Sequence, residues 1–552
     1  MFQLAMRSML VLGLLFGLVF AVAVAASYHF GLGWIFPVVI SLAFLGLQYL
    51  LGPAIIGWVH KIDWRPLDSA DPELAQFVRA VCAHRGLREP RFGLIHDGNP
   101  NAFTYGHYPG NARLVLTTGL LEICDAHERQ AVVAHELGHI AHWDFVVMTV
   151  AATVPLLLYV IWRVTLTGRR RGRDSGYAVL VGIAAFIAYW ISQYIVLFLS
   201  RVREYYADHF SAEITNNPNA LATALVKIAY GLARAPKEAA QEAQDGQKRA
   251  RAPLVTADAA KSLGIFDVRF GSAIALAAAG SYSREGQYSA EVMTRAMRWD
   301  LWNPWAIICE IGSTHPLPAK RLKALENIGR ELGQQPAYDL PEPEDRPESY
   351  WDEFLVDILV SQLPLIGLAL GALAALGLGL WRQPWVGGIG AALFGLGMGL
   401  FARVRFTHPR GEFRPTQVAT LVQEVKVSQI RSIPCELQGT IIGRGIPGLY
   451  WSKDLVIQDE SGFIRLDYRQ PLRLLEFLFG MFRAESLIGQ PASVQGWYRR
   501  WPAPYCELWR VRLGDGSVQR SHNWAVIFYG SLALAAVGLA LTIFGMLAQL
   551  PS

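Results

Sequence analysis

The sequence predicts a mainly α membrane protein, a multi-span helical bundle carrying an α+β soluble domain and a small all-β insert near its C-terminal end. Three observations lead there. The 552 residues are 52% hydrophobic and 17% charged, with a mean hydropathy of +0.26, whereas soluble domains carry about 25% charged residues. The apolar residues gather into long unbroken runs. The polar stretches between the runs differ in character, the first mixing helical and strand-like patterns and the last reading as short strands with turns.

The runs are Met9–Ser27, Trp34–Leu51, Phe145–Val164, Val179–Leu199, Ile358–Leu380, Val386–Phe401 and Trp524–Leu547. A hydrocarbon core needs about 20 helical residues, so seven spans are expected. Val386–Phe401 is short and Gly-rich, which favours close pairing with a neighbouring helix. The first run follows Arg7 and ends in the small residues Ala23, Ala25 and Ala26. Its apolar core exceeds that of a secretory signal and a second run follows at once, so it reads as an uncleaved anchor. The division expected is 1–59, an N-terminal hairpin; 60–350, a soluble domain interrupted by a membrane hairpin at 145–200; 351–403, a second hairpin; 415–518, the β-rich module; and 524–547, a last span.

Arg403, Arg405, Arg410 and Arg414 follow the sixth run and place that end in the cytoplasm. Counting back puts 60–144 and 200–350 on the same side. The loop with Arg169, Arg170, Arg171 and Arg173 then falls outside, against the rule. Either the third and fourth runs form a hairpin that does not fully cross, or the count is off. The five cysteines (Cys82, Cys124, Cys309, Cys435, Cys506) are scattered, with no CxxC pair, which argues against a disulfide framework and a zinc ribbon. The net charge is +5, without a basic stripe, and no nucleic-acid partner is expected.

Between the second and third runs, Asp71-Pro72 opens a helix that Gly86 stops. Asn101–Tyr105 and Arg113–Thr118 read as a strand pair. Asp125 and Glu128 form a capping box for a helix reaching Asp144. After the fourth run, Asn217-Pro218 opens a helix with Leu221, Leu225, Ile228 and Leu232 on one side. Lys237–Arg251 reads as a charged loop, Gly271–Gly280 as a short buried helix and Pro341–Glu348 as a linker. In the last polar stretch, Leu455–Ile457, Phe463–Leu466, Val494–Tyr498 and Leu508–Val511 read as strands.

The chemistry lies in His135-Glu136-Leu137-Gly138-His139. Histidines four apart share a helix face and can hold one Zn²⁺. Glu136, displaced by about 100°, sits beside the ion as a proton acceptor. Gly138 lets another segment or a substrate approach. A third ligand is required. His142 is too close on the same helix, and the metzincin pattern, which wants Gly at 142 and His at 145, meets His142 and Phe145 instead. Glu204 is the better candidate, because the membrane hairpin returns it to the surface where the motif helix enters. Asp208 follows at i+4, suited to the free nitrogen of a ligand histidine. An ordinary juxtamembrane charge cluster explains Arg201–Asp208 equally well on spacing.

These residues, with Ser313-Thr314-His315-Pro316 downstream, resemble the M48 membrane metallopeptidases, the group of the bacterial heat-shock membrane protease and the eukaryotic CAAX-prenyl protease. The resemblance covers roughly residues 60–330. It implies a zincin-like domain with one Zn²⁺ per chain on His135, His139 and Glu204, and with Asp208 in support. It further implies catalytic roles for Glu136, His315 and Arg321, the last two facing the substrate oxyanion, and a substrate-pairing edge strand at Asn101, Ala102 and Phe103. The expected substrates are membrane-associated or misfolded polypeptides. A processing peptidase for one substrate and a silent scaffold are the rival readings. Beyond about residue 350 the chain departs from that pattern. The β-rich insert looks like an OB-type barrel, read as a regulatory or partner-binding module. Arg499, Arg500, Trp497 and Trp501 fit a nucleic-acid groove or a membrane-facing surface equally.

Overall fold

The computed structural model describes residues 35–98, 100–167, 175–228, 290–381, 385–444, 453–501 and 503–549. Met9–Ser27, Arg169–Arg173, Leu232, Lys237–Arg251 and Gly271–Gly280 lie outside them. The chain forms two compact units, one holding residues up to Leu232 together with Ile307–Leu340, the other holding Pro341–Ser552. Residues 290–306 join the second unit, although the sequence grouped them with 60–350. Their side chains give the reason. Trp299 Nε1 donates to the Val427 carbonyl (2.7 Å), and Arg500 Nη2 donates to Asp300 Oδ1 (2.8 Å). Helical periodicity shows that a face is apolar but not which distant segment covers it.

In the first unit, helix Ile35–Val59 takes in the second run from Ile35 onward. Strands β1 (Asp63–Trp64), β2 (Arg91–Ile95), β3 (Ala102–Tyr105) and β4 (Arg113–Thr117) form a four-stranded sheet in the order β1-β2-β4-β3. β2 and β4 are parallel, while β3 is antiparallel to β4 and lies at the sheet edge. Phe103, Tyr105 and Val115 pack with Ile62 in the core. Helix Pro72–Arg85 starts where Asp71 Oδ1 accepts from Leu74 N (3.0 Å) and stops at Gly86, whose φ of +64° a side chain would resist.

The motif helix, Ala126–Ala141, is closed at its start by the expected box, with Glu128 N donating to Asp125 Oδ1 (3.0 Å) and Asp125 N to Glu128 Oε2 (2.9 Å). Two hairpin helices, Asp144–Thr167 and Ser175–Thr215, pack together. The second has 41 residues, about 60 Å at 1.5 Å per residue, or roughly twice a hydrocarbon core. Its C-terminal half therefore stands clear of the bilayer, and buried charge can gather there.

In the second unit, helices Trp351–Gly377, Val386–Thr407 and Asn523–Leu547 pack side by side, and small residues set the spacing. Gly367 and Gly371 lie against Gly395 and Ala391, and Gly390 and Gly397 against Gly538, Thr542 and Ala535. Close pairing of the Gly-rich run is thus observed. The β module contains β5 (Arg414–Pro415), β6 (Ile433–Arg444), β7 (Leu455–Gln458), β8 (Phe463–Asp467), β9 (Pro491–Trp501), β10 (Ala503–Leu513) and β11 (Val518–Arg520). β6, β7, β8, β10 and β9 close into a ring, parallel only at β8–β10.

Among the described residues, five helices are long and apolar enough to cross a membrane, and they cover the third to seventh runs. The chain is a multi-pass membrane protein. A Cβ on Gly390 would meet the backbone of Gly538, Leu541 and Thr542, whereas one on Gly377 would meet open space. Gly390→Val is therefore expected to lower stability by about 1–3 kcal/mol, and Gly377→Val to leave the bundle packing intact. Thermal melting of the two variants in detergent checks the difference.

Candidate metal centre

The motif helix buries both His135 and Glu136, and turns His135 toward the second hairpin helix. Gly138 makes the approach close, since a Cβ there would stand 3.1 Å from Ala207 Cα and 3.2 Å from Phe210 Cβ. Ser211 Oγ, donating to the Ala131 carbonyl (2.6 Å), ties the same helices one turn further on. Glu204 thereby reaches the two imidazoles, and ligand atoms of His135, His139 and Glu204 lie within 4.8 Å of one another. His135 Nε2 and His139 Nε2 are 3.1 Å apart, and each stands 3.7 Å from a Glu204 carboxylate oxygen.

The far nitrogens face carboxylates. His139 Nδ1 is 2.5 Å from Asp144 Oδ2, and His135 Nδ1 is 2.9 Å from Asp208 Oδ1. A carboxylate beside Nδ1 favours the proton there and frees the Nε2 lone pair for a metal ion. Asp208 is in turn held by Arg321, with Nε donating to Oδ2 (2.8 Å) and Nη2 to Oδ1 (2.6 Å), while Nη1 stands 3.3 Å from Glu204 Oε2. Burial alone would lower the Arg321 pKa, but the Asp208 and Glu204 carboxylates more than offset it and hold the group above its ordinary value. Arg203 pairs with Asp144 and donates to the His142 carbonyl (2.8 Å).

The residues fit a divalent cation on three counts. Ligands at 2.0–2.1 Å in a tetrahedron lie about 3.3 Å apart, close to the separations observed. Glu204 Oε2 is buried yet accepts no hydrogen bond, an orphan that buried acceptors rarely are. Three carboxylates, Asp144, Glu204 and Asp208, pair with two guanidiniums, Arg203 and Arg321, Glu136 adds a fourth carboxylate beside the ligands, and a divalent cation would balance the two negative charges left over.

Glu136 faces β3, where Thr104 Oγ1 donates to its Oε2 (3.0 Å). The Thr117 N–H donates to the Asn101 carbonyl (3.1 Å), so 101, 103 and 105 pair with β4 while 102 and 104 turn their backbone groups to the open edge. The Ala102 N–H is met by Asn101 Oδ1 (3.0 Å). The side chains of Ala102 and Phe103 are buried in the core. His315 borders the cluster, its Nε2 3.7 Å from Glu204 Oε1. Arg201 holds that turn in place by donating to the carbonyls of Glu310 and Ser313 (both 2.8 Å).

Arg321 differs from the sequence expectation. It is 1% exposed and lies behind the ligands, so its guanidinium positions Asp208 and Glu204 instead of facing a substrate. His142 caps the motif helix beside Tyr206 and Phe210. Asp144, Arg203 and Thr104 escaped the sequence reading. Asp144 lies five residues after His139 at the head of an apolar run, a spacing that could have identified it. Thr104 carries no signal beyond its strand.

Residues 68–329 match Peptidase family M48. The chain is 38% identical over 231 residues to "Protease HtpX homolog" of Methanothermobacter thermautotrophicus, covering 42% of this chain and 87% of that protein. It is 34% identical to "Protease HtpX homolog 1" of Streptomyces coelicolor, covering 42% and 77%, and 28% identical to the Thermoplasma acidophilum homolog, covering 58% and 96%. Among solved structures, S. mikatae Ste24p aligns over 40% of this chain and 57% of that one, with 19% identity and a TM-score of 0.30.

Asp144→Asn and Asp208→Asn remove the carboxylates facing the ligand histidines. Each is expected to weaken divalent-metal binding by about 10–100-fold, measured by chelator competition and metal analysis of the purified chain.

Proposed function

The chain belongs to peptidase family M48, and from that premise we propose that it is a zinc endopeptidase acting on membrane-associated or misfolded polypeptides, its site on the cytoplasmic side of a bacterial inner membrane. The observation that carries the reading is Glu136, buried beside the three converging ligands and hydrogen-bonded from the open edge strand.

His135, His139 and Glu204 would hold one Zn²⁺. When bound, such an ion supplies Lewis acidity and brings the pKa of water to about 7. Glu136 takes the proton of the attacking water and delivers it to the leaving amine nitrogen. Thr104 holds the Glu136 carboxylate toward the strand. His315 faces the oxygen that gains charge at the scissile carbonyl. Arg321 acts through Asp208 and Glu204. An extended substrate adds to the outer side of β3 through the Ala102 carbonyl and the backbone groups of Thr104, giving affinity with little sequence demand. Such pairing suits unfolded chains.

The ring β6-β7-β8-β10-β9, with a helix between β8 and β9, supports an OB-type reading and a regulatory or partner-binding role. Arg499 and Arg500 are buried and joined to Glu507 and Asp300, which favours a structural role over a nucleic-acid groove.

Glu136→Gln is expected to retain metal and lower casein hydrolysis by about 10²–10⁴-fold. Hydrolysis that persists with metal bound would remove the proton-transfer role. Thr104→Val should retain metal and lower kcat by about tenfold, the loss of one hydrogen bond to a charged group. Comparing membrane proteomes of wild type and Glu136→Gln tests substrate range. Many accumulating proteins fit quality control, one fits dedicated processing, and none fits a scaffold.

A further inference from the structure

Between β8 and β9 lies the ten-residue helix Arg473–Phe482. Glu476, Phe479 and Gly480, spaced i, i+3, i+4, turn toward the module. Phe479 stacks on Tyr468, their rings 4.0 Å apart. Glu476 is neutralised there, accepting from Gln470 N (2.9 Å) and standing 3.4 Å from Lys453 Nζ. The opposite side holds Leu474, Phe477, Leu478 and Met481 at i, i+3, i+4, i+7, flanked by Leu475 and Phe482, all exposed. Leu474 is 63% and Phe482 69% exposed. A helix with a wholly apolar outer face, and with Arg473 and Arg483 at its two ends, has the composition of one that lies in a bilayer interface.

The position of the helix identifies what covers that face. Arg469 and Gln470, four and three residues before it, are bonded to the residues that lead into the last membrane helix, Asn523–Leu547. Ser521 Oγ donates to the Arg469 carbonyl (2.5 Å), Gln470 Nε2 to the Arg520 carbonyl (2.9 Å) and His522 N to Gln470 Oε1 (3.4 Å). Trp524 marks the interface level at that entry, with the Arg410 guanidinium 5.0 Å from its ring. The start of the amphipathic helix is thus pinned where the chain enters lipid.

We propose that Arg473–Phe482 is an interfacial anchor that lays Leu474, Phe477, Leu478 and Met481 into the acyl boundary of the bilayer and sets the β module flat on the membrane. The headgroup phosphates meet Arg473 and Arg483.

The full chain tests this in nanodiscs of phosphatidylcholine and phosphatidylglycerol. The native cysteines are buried, so an environment-sensitive fluorophore can be attached selectively at Phe477→Cys and, as a control at the far end of β8, at Glu460→Cys. The expected result is a blue-shifted emission at position 477 that lipids carrying a spin label high on the acyl chain quench, with a water-like, unquenched label at position 460. Water-like emission at position 477 would overturn the proposal. So would a blue shift that those lipids fail to quench, since the face would then be covered by protein, either a second copy or a partner. Circular dichroism and the melting temperature of each labelled variant confirm that the chain being read is folded.

Discussion

Three acceptors aimed at one point, two of them buried and His139 half-buried, repel one another, and the first unit is arranged to hold them there. His135 Nε2, His139 Nε2 and the Glu204 carboxylate converge within 3.1–3.7 Å. Such a set is stable only where positive charge is supplied. Arg321 and Arg203 provide part of it from behind, and a divalent ion on the three ligands would provide the rest. Removing one member of a buried ionic group leaves the others uncompensated, so these residues act as a unit.

The fold meets that constraint by setting two rigid helices at close range. The motif helix starts at a closed capping box and ends with Trp143 in the left-handed region at φ +60°, a conformation rare for a residue with a large side chain. That reversal brings Asp144 back toward His139 while starting the first hairpin helix. The second hairpin helix continues well past the bilayer, so Glu204 and Asp208 are delivered on a stiff rod, one turn apart. β3 closes the site on the Glu136 side, and its position at the sheet edge leaves room for another strand.

In the second unit, buried charge is used for architecture. Arg499 donates to Glu507 Oε2 (2.9 Å) and to the Thr407 carbonyl (2.6 Å), and His408 Nε2 lies 3.3 Å from Glu507. Burial would raise the Glu507 pKa, but Arg499 and His408 hold it well below the usual carboxylate range. The network fastens the end of a membrane helix to strands β9 and β10. Asp357, near the start of helix Trp351–Gly377, is bonded by Trp305 Nε1 (3.1 Å) and Ser428 Oγ (2.6 Å). An ionisable group can be kept there because it faces the β module and not lipid.

The sequence by itself determined the apolar runs, the capping boxes, the strand pair and the histidine pair, because each depends on residues a few positions apart. It also offered Glu204 and Asp208, since a membrane hairpin returns the chain to the surface it left, but an ordinary charge cluster fitted the spacing equally well and the family resemblance chose between the two. Only the tertiary structure decided which side of each buried charge faces the site. Arg321 looks like any arginine in an amphipathic helix, yet it stands behind the ligands because the Asp208 and Glu204 carboxylates compensate it there. Arg499 and Arg500 read as surface residues and are buried, and residues 290–306 belong with the β module. Thr104 joins the site through a contact 32 positions away in the chain. Such pairings depend on packing between distant segments, and local periodicity carries no information about them.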